Sequence, residues 1–300
     1  MKDAYKRQVA LLLNVLPEVA KEKCFVLHGG TAINLFIRNM PRLSVDIDLT
    51  YLVIEDRETS MVNIVKALNN VTERIQKIIP NVRTNLHERD LKLQISLEGA
   101  QIKIEVNQIN RGCISKPEKL MLCERAQATF DAFCVVEVVP KAQLFGGKII
   151  AALDRQHPRD LFDIKYLLEE GGIVNDIKEG FIFSLLSSNR PIYELLNPHR
   201  TDQQQAFKNQ FDGMSDQDFT YQEFEEVRNT MISAIHNILN EEDKKFILSF
   251  KSLKPDWSIY DFQKYPAIQW KLENIQRFKD HNEKGYKEAV NRLAKFLENQ

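Results

Sequence analysis

The sequence predicts an α+β fold, a mixed sheet with helices over residues 1–140 followed by a mainly helical half over residues 141–300. Three observations carry this. Short segments of the first half alternate apolar and polar residues, as half-buried strands do. Beyond residue 141 apolar residues recur at helical spacing instead. With 300 residues, 43% of them hydrophobic, the chain is long enough to bury a sizeable core.

The elements follow in chain order. Over residues 4–20, Val9, Leu12, Leu13 and Leu16 share one helical face, and Pro17 disturbs the end. "CFVLHGG" reads as a buried strand ending in glycine, residues 31–38 as a short helix, "NMPRLS" as a loop and "VDIDLTYLV" as an alternating strand. A long helix covers residues 57–79. "KLQISLEG" and "QIKIEVNQI" form a strand pair turning at Glu98-Gly99-Ala100, in which Ile102, Ile104 and Val106 face away from Lys103, Glu105 and Asn107. "KAQLFGGKIIAALDRQ" reads as a helix in spite of its glycine pair. "HPRDLFDIKYLLEEGG" reads as another, with proline in its first turn and a glycine stop. Further helical stretches cover 176–188, 202–210, 220–239, 241–249 and 271–298.

Composition excludes several classes. Charged residues make up 28% of the chain but sum to a net charge of −1, so no global field draws it to nucleic acid or to anionic lipid. Any nucleic-acid partner must meet a local basic patch, for which "KLENIQRFKDHNEKGYKEAVNRLAKF" is the mildly basic candidate; an ordinary solvated helix has the same pattern. Cys24, Cys113, Cys123 and Cys134 contain no C-x-x-C pair and read as reduced core thiols. No stretch approaches the ~20 apolar residues of a membrane span, and the N-terminal apolar run is too interrupted for a signal peptide. A cytoplasmic protein without membrane partners is expected.

The chemistry concentrates in "FVLHGGTAINLFIRNMPRLSVDIDL". Asp46 and Asp48 at i and i+2 of a strand leave the same face, so together they suit a hard divalent cation such as Mg²⁺, or Mn²⁺ in its place. Alone, such a pair serves equally as a turn cap and a surface ion pair. Gly29 and Gly30, lying between a strand and a helix start, let phosphates approach the backbone, where N–H groups and the helix dipole favour anions. Gly29, Gly30 and Thr31 are therefore the candidates to hold a triphosphate whose metal sits on Asp46 and Asp48. Ser44, just before the aspartate strand, is either a turn residue or a hydroxyl that tunes the site. His28 reads as structural. Farther on, Lys148 and Arg155, seven apart, share a helical face, and Asp160 and Asp163 are three apart on the next helix. They form either a nucleotide-facing cluster or an interhelical salt-bridge set. Trp257, Tyr260, Phe262, Tyr265 and Trp270 read mostly as packing.

The order strand, Gly-Gly, helix, loop, strand with D-x-D resembles the nucleotidyltransferases built on a DNA-polymerase-β-like palm, which implies a third carboxylate from a later strand, here Glu105. More narrowly, "GGTAINLFIR…RLSVDIDL" with "KIEVN", "KIIAALDRQHPRDLFDIKYLL" and the late "PAIQWKLENIQRF" resembles the AbiEii/AbiGii abortive-infection toxin family, which includes the MenT-type toxins. The spacing between Gly30 and Asp46 departs from that family by a slightly longer "RNMPR" loop. The resemblance implies a palm over 1–140 and a helical domain over 141–300 that contributes Lys148 and Asp163 to the active-site cleft. Arg155, Arg159 and Asp160 match the pattern with less defined roles. It implies a Mg²⁺-dependent nucleotidyltransferase toxin with Asp46, Asp48 and Glu105 as metal ligands, an NTP substrate, the tRNA 3′ end as acceptor and a cognate antitoxin. A protein or small-molecule acceptor, and a catalytically silent NTP-binding or partner-binding module, remain the rival readings.

Overall fold

The computed structural model describes residues 1–300 and divides the chain into two compact units. The first comprises Met1–Pro140 together with Gln210–Asp218, and the second Lys141–Asn209 together with Phe219–Gln300. No helix is long and apolar enough to cross a membrane.

The first unit begins with α1 (Asp3–Val19), β1 (Phe25–His28) and α2 (Gly29–Ala32), which runs on as a wider turn over Ile33–Ile37. Then come β2 (Asp46–Tyr51), α3 (Arg57–Ile78), β3 (Arg83–His87), β4 (Lys92–Leu97), β5 (Ala100–Val106), β6 (Glu118–Met121), α4 (Glu124–Phe130) and β7 (Val135–Val138). The seven strands form one mixed sheet in the order β3-β4-β5-β2-β1-β7-β6, with β2 parallel to β5 and β1 parallel to β7. Glu98 and Gly99, both at positive φ, make the two-residue turn between β4 and β5, a backbone that matches strand twist. Alternation divides the central strands. Ile47, Leu49, Leu93, Ile95, Ile102 and Ile104 are buried, while the residues between them form a polar face. Arg74 of α3 pairs with Glu18 of α1 and with Glu22 in the turn that follows α1.

Residues 210–218 act as a strap on the loop after α2. Leu43 N–H donates to the Met214 carbonyl (2.7 Å) and the Ser215 hydroxyl to the Pro41 carbonyl (2.8 Å). Arg125 pairs with Asp216 at 2.6 Å and also donates to the Met40 carbonyl. The loop is thereby buried, with Met40, Arg42 and Leu43 all almost fully covered.

The second unit is helical: α5 (Lys141–Arg155), α6 (Pro158–Glu169), α7 (Asn175–Ser187), α8 (Ile192–Leu196), α9 (Gln204–Ala206), α10 (Tyr221–Ile238), α11 (Glu241–Lys251), α12 (Pro266–His281) and α13 (Glu283–Glu298). Gly146 of α5 lies against the Gly180 backbone of α7, and Gly180 against the Ala142 carbonyl, so closely that a Cβ at either position would overlap main chain. The glycine that weakens α5 as a helix thus permits its crossing with α7. Phe183, Phe246, Phe262 and Tyr265 build an aromatic core of edge-on rings. The stretch 271–298, expected as one helix, is two. Asn282 adopts an extended φ of −150° and its side chain accepts from Gly285 N–H, capping α13.

Candidate active site

The glycine turn and the aspartate strand are locked together. Gly29 has φ +74°, a region that favours glycine, and a Cβ there would strike the Asp48 carboxylate. Its backbone therefore lies directly against Asp48. A Cβ on Gly30 would come within 2.9 Å of the Arg42 guanidinium and 3.0 Å of the Ser44 hydroxyl. Thr31 is fully buried; its hydroxyl donates to the main-chain oxygen of Asp46 and lies 3.0 Å from Ser44 Oγ. Asn34 donates to the Gly30 carbonyl at 2.9 Å. The hydroxyls of Thr31 and Ser44 thus brace the turn from within. Arg42, for which the sequence pattern carries no signal, flanks it.

Asp46 and Asp48 are partly exposed on one face of β2, while Ile47 and Leu49 between and after them are buried. The parallel pairing of β2 with β5 sets Asp48 beside Glu105 and Asp46 beside Lys103. Glu105 Oε1 lies 2.6 Å from Lys92 Nζ and 3.3 Å from Lys103 Nζ. Burial alone would raise the Glu105 pKa, but the two ammonium groups reverse this and hold it below the usual carboxylate value. No group of three or more His, Cys, Asp or Glu side chains is drawn together as a metal cage.

In the second unit Lys148, Arg155, Asp160 and Asp163 meet as the heptad spacing of Lys148 and Arg155 requires. Lys148 Nζ lies 2.9 Å from Asp160 and 3.0 Å from Asp163, and Arg155 Nε 2.8 Å from Asp160. Lys148 and both aspartates are buried, whereas the Arg155 side chain is 64% exposed. Burial opposes the ionised form of Asp160, but Lys148 and then Arg155 outweigh it and depress its pKa far below normal. His157 caps α6 by accepting from Arg159 N–H, with Pro158 in the first turn. On α12 and α13, Arg277 lies over Trp270 and pairs with Glu273, and Lys287 pairs with Glu283, so part of the mildly basic stripe is matched by its own acids.

In fold the chain is similar to a solved structure of MenT4, a nucleotidyltransferase toxin from Mycobacterium tuberculosis H37Rv. The match covers 91% of this chain and 93% of that one, with a TM-score of 0.61 and 14% identity. That likeness is one of fold, and the class comes from the sequence: the family model that the chain matches is one of nucleotidyl transferases. The chain belongs to the nucleotidyl transferase AbiEii toxin family of type IV toxin–antitoxin systems, whose family model matches residues 10–274. The resemblance carried by the Gly-Gly and D-x-D segments is thus confirmed across most of the chain. No curated protein sequence matches it.

Proposed function

We propose that this toxin transfers a nucleoside monophosphate from an NTP to an acceptor hydroxyl, the 3′ end of tRNA. The observation that carries the reading is the packing of the Gly29 backbone against the Asp48 carboxylate, which sets an anion-accepting turn beside a cation-accepting pair. Two hard carboxylates on one strand face fit Mg²⁺ or Mn²⁺, which typically take one or two carboxylates and complete their shell with water and phosphate oxygens. Asp46 and Asp48 would hold the metal, and Glu105 would join them on leaving Lys92 and Lys103. When bound, the metal supplies charge neutralisation at the phosphates and lowers the pKa of the attacking hydroxyl.

The residues of the chain bind and orient. Gly29, Gly30 and Thr31 offer backbone N–H groups to the triphosphate, with Ser44 and Arg42 bracing the turn. The acceptor oxygen bonds to the α-phosphorus, the bond to the bridging oxygen of the β-phosphate breaks, pyrophosphate leaves with that electron pair, and the hydroxyl proton passes to water. Lys148 and Asp163 are assigned to the same reaction, with Arg155 as a triphosphate contact. Because Lys148 is also the counter-ion of two buried carboxylates, its role must be read on folded protein, with Lys148→Arg beside Lys148→Gln. The reading includes a cytoplasmic location, where NTPs and tRNA are at hand, and neutralisation by a cognate antitoxin.

The test is incubation with Mg²⁺, total RNA and each α-labelled NTP in turn, beside Asp46→Ala and Asp48→Ala. Label on RNA of tRNA size, absent with both variants, is the expected result and names the nucleotide. Label on protein or on a small molecule would move the acceptor. No transfer at all, with toxicity retained by both variants, would leave a binding module.

A further inference from the structure

The polar face of the sheet is ordered in rows that strand register makes explicit. Across β3, β4, β5, β2 and β1, one row runs His87, Lys92, Glu105, Asp48, His28. The next runs Asn85, Gln94, Lys103, Asp46. Residues directly opposite in register share a face, so the aspartate pair has a distinct surrounding on each side. Toward β1 lies the glycine turn, against Asp48. Toward β5 and β4 lie two lysines about 5 and 10 Å from the aspartate strand, one and two strand spacings away.

Those lysines are partly open to solvent, with side-chain exposures of 34% for Lys92 and 37% for Lys103. Both pair with the same carboxylate, Glu105, and Lys92 also feels the charges of Asp46 and Asp90. Two ammonium groups therefore flank the aspartate pair on this side, open enough to solvent to meet an anion such as a phosphodiester. In-line transfer puts the leaving pyrophosphate and the attacking hydroxyl on opposite sides of the α-phosphorus. If the triphosphate tail lies at Gly29 and Gly30, on the β1 side, the attacking group arrives from the β5–β4 side, over the lysines.

We propose that Lys92 and Lys103 bind the sugar-phosphate backbone of a polynucleotide acceptor, with Glu105 as the carboxylate that the acceptor's phosphates displace. This rests on the reading of Asp46, Asp48 and the glycine turn given above, and it deepens that reading by assigning the acceptor's chemistry to particular side chains. A phosphate arriving at the two ammonium groups releases Glu105, which is then free to turn along its row toward Asp48. Acceptor binding and completion of the carboxylate set thus become one event.

The test separates binding from transfer. Anisotropy of fluorescent bulk tRNA is titrated with wild type, Lys92→Gln, Lys103→Gln and the double variant, with Mg²⁺ present and NTP absent; NTP affinity is measured in parallel. Each lysine loss is expected to weaken tRNA binding on the order of fivefold and to lower the salt slope by about 0.7–0.9, with NTP affinity unchanged. Lys92→Arg and Lys103→Arg are expected to retain binding. Glu105→Gln, which leaves both lysines without their counter-ion, is expected to tighten it. Unchanged tRNA affinity in the double variant, alongside wild-type protein that labels tRNA, would overturn the lysine assignment alone. Loss of NTP affinity instead would move the lysines to the leaving-group side and overturn it too. A wild type that neither binds nor labels tRNA would remove the underlying reading, and this assignment with it.

Discussion

At Gly29 two demands coincide, a left-handed backbone and an absent Cβ, and both are visible in a single letter of the sequence. The same holds for Asp46 and Asp48, whose common face follows from strand periodicity alone. Glu105 was legible only in part. Its place in the row follows from alternation and order, but its partners Lys92 and Lys103 are chosen by strand register, which no local pattern encodes. Arg42 was not legible, because a loop arginine becomes buried only through tertiary contacts. In the second unit the Lys148 cluster has consequences that can be measured. Lys148→Met removes the ammonium that two buried carboxylates share and is expected to cost about 3–5 kcal/mol of unfolding free energy in urea titrations. The sign of the acid response follows from Asp160. Its folded-state pKa lies below the unfolded value of about 3.9, so its stabilisation is complete above that value and disappears as pH falls toward the depressed one. Asp160→Asn is therefore expected to be less stable than wild type at pH 7 and to show a shallower loss of stability between pH 4 and 2 by urea titration. An unchanged slope would mean that another carboxylate sets the acid limb.

At the scale of elements, the strongly periodic segments were readable and, apart from β1 and the helix start that follows its glycines, the short ones were not. The helices of the second half and the β4–β5 hairpin carry repeated apolar spacing and turn residues at fixed offsets. By contrast β3 reads "RTNLH" and β6 "EKLM", edge strands of the sheet with one face open to solvent, so the burial that would mark them in the sequence is weak. β7 is four residues long, too short for periodicity to register, although it pairs with β1 at the heart of the unit. The break at Asn282 was available as a capping signal, Asn followed by an exposed first turn, within an otherwise continuous helical pattern. The glycine pair of α5 looked like a defect, and Gly146 is instead a requirement of the α5–α7 crossing. Gly146→Ala forces a Cβ onto main chain that cannot yield as a side chain does. It is expected to destabilise by about 3 kcal/mol, read as a lowered thermal midpoint, whereas an alanine tolerated within a few tenths would show that the crossing relaxes freely.

At the scale of the whole chain, the first unit is discontinuous, and residues 210–218 are the part that composition and periodicity give no reason to assign to it. Phe211 and Met214, buried in a polar neighbourhood, are the only local hints. The contacts of Met214 and Ser215 reach back more than 160 positions to the loop that carries Arg42 and leads into Ser44 and Asp46. Met214→Ser is expected to accelerate amide hydrogen exchange across residues 39–44 while leaving that of α5 and α7 unchanged. Unaltered exchange in the loop would show that it holds its own shape.

The strap also imposes an order in time. A chain leaves the ribosome from its N-terminus, and residues 211–216 emerge only after most of the first unit and much of the second have been made, on the order of ten seconds or more after Leu43. Until then the loop before the aspartate strand has no partner for Leu43 N–H and no cover for Met40. A toxin translated in the cell it will harm therefore carries its aspartates early but acquires the brace on the loop that leads into them late.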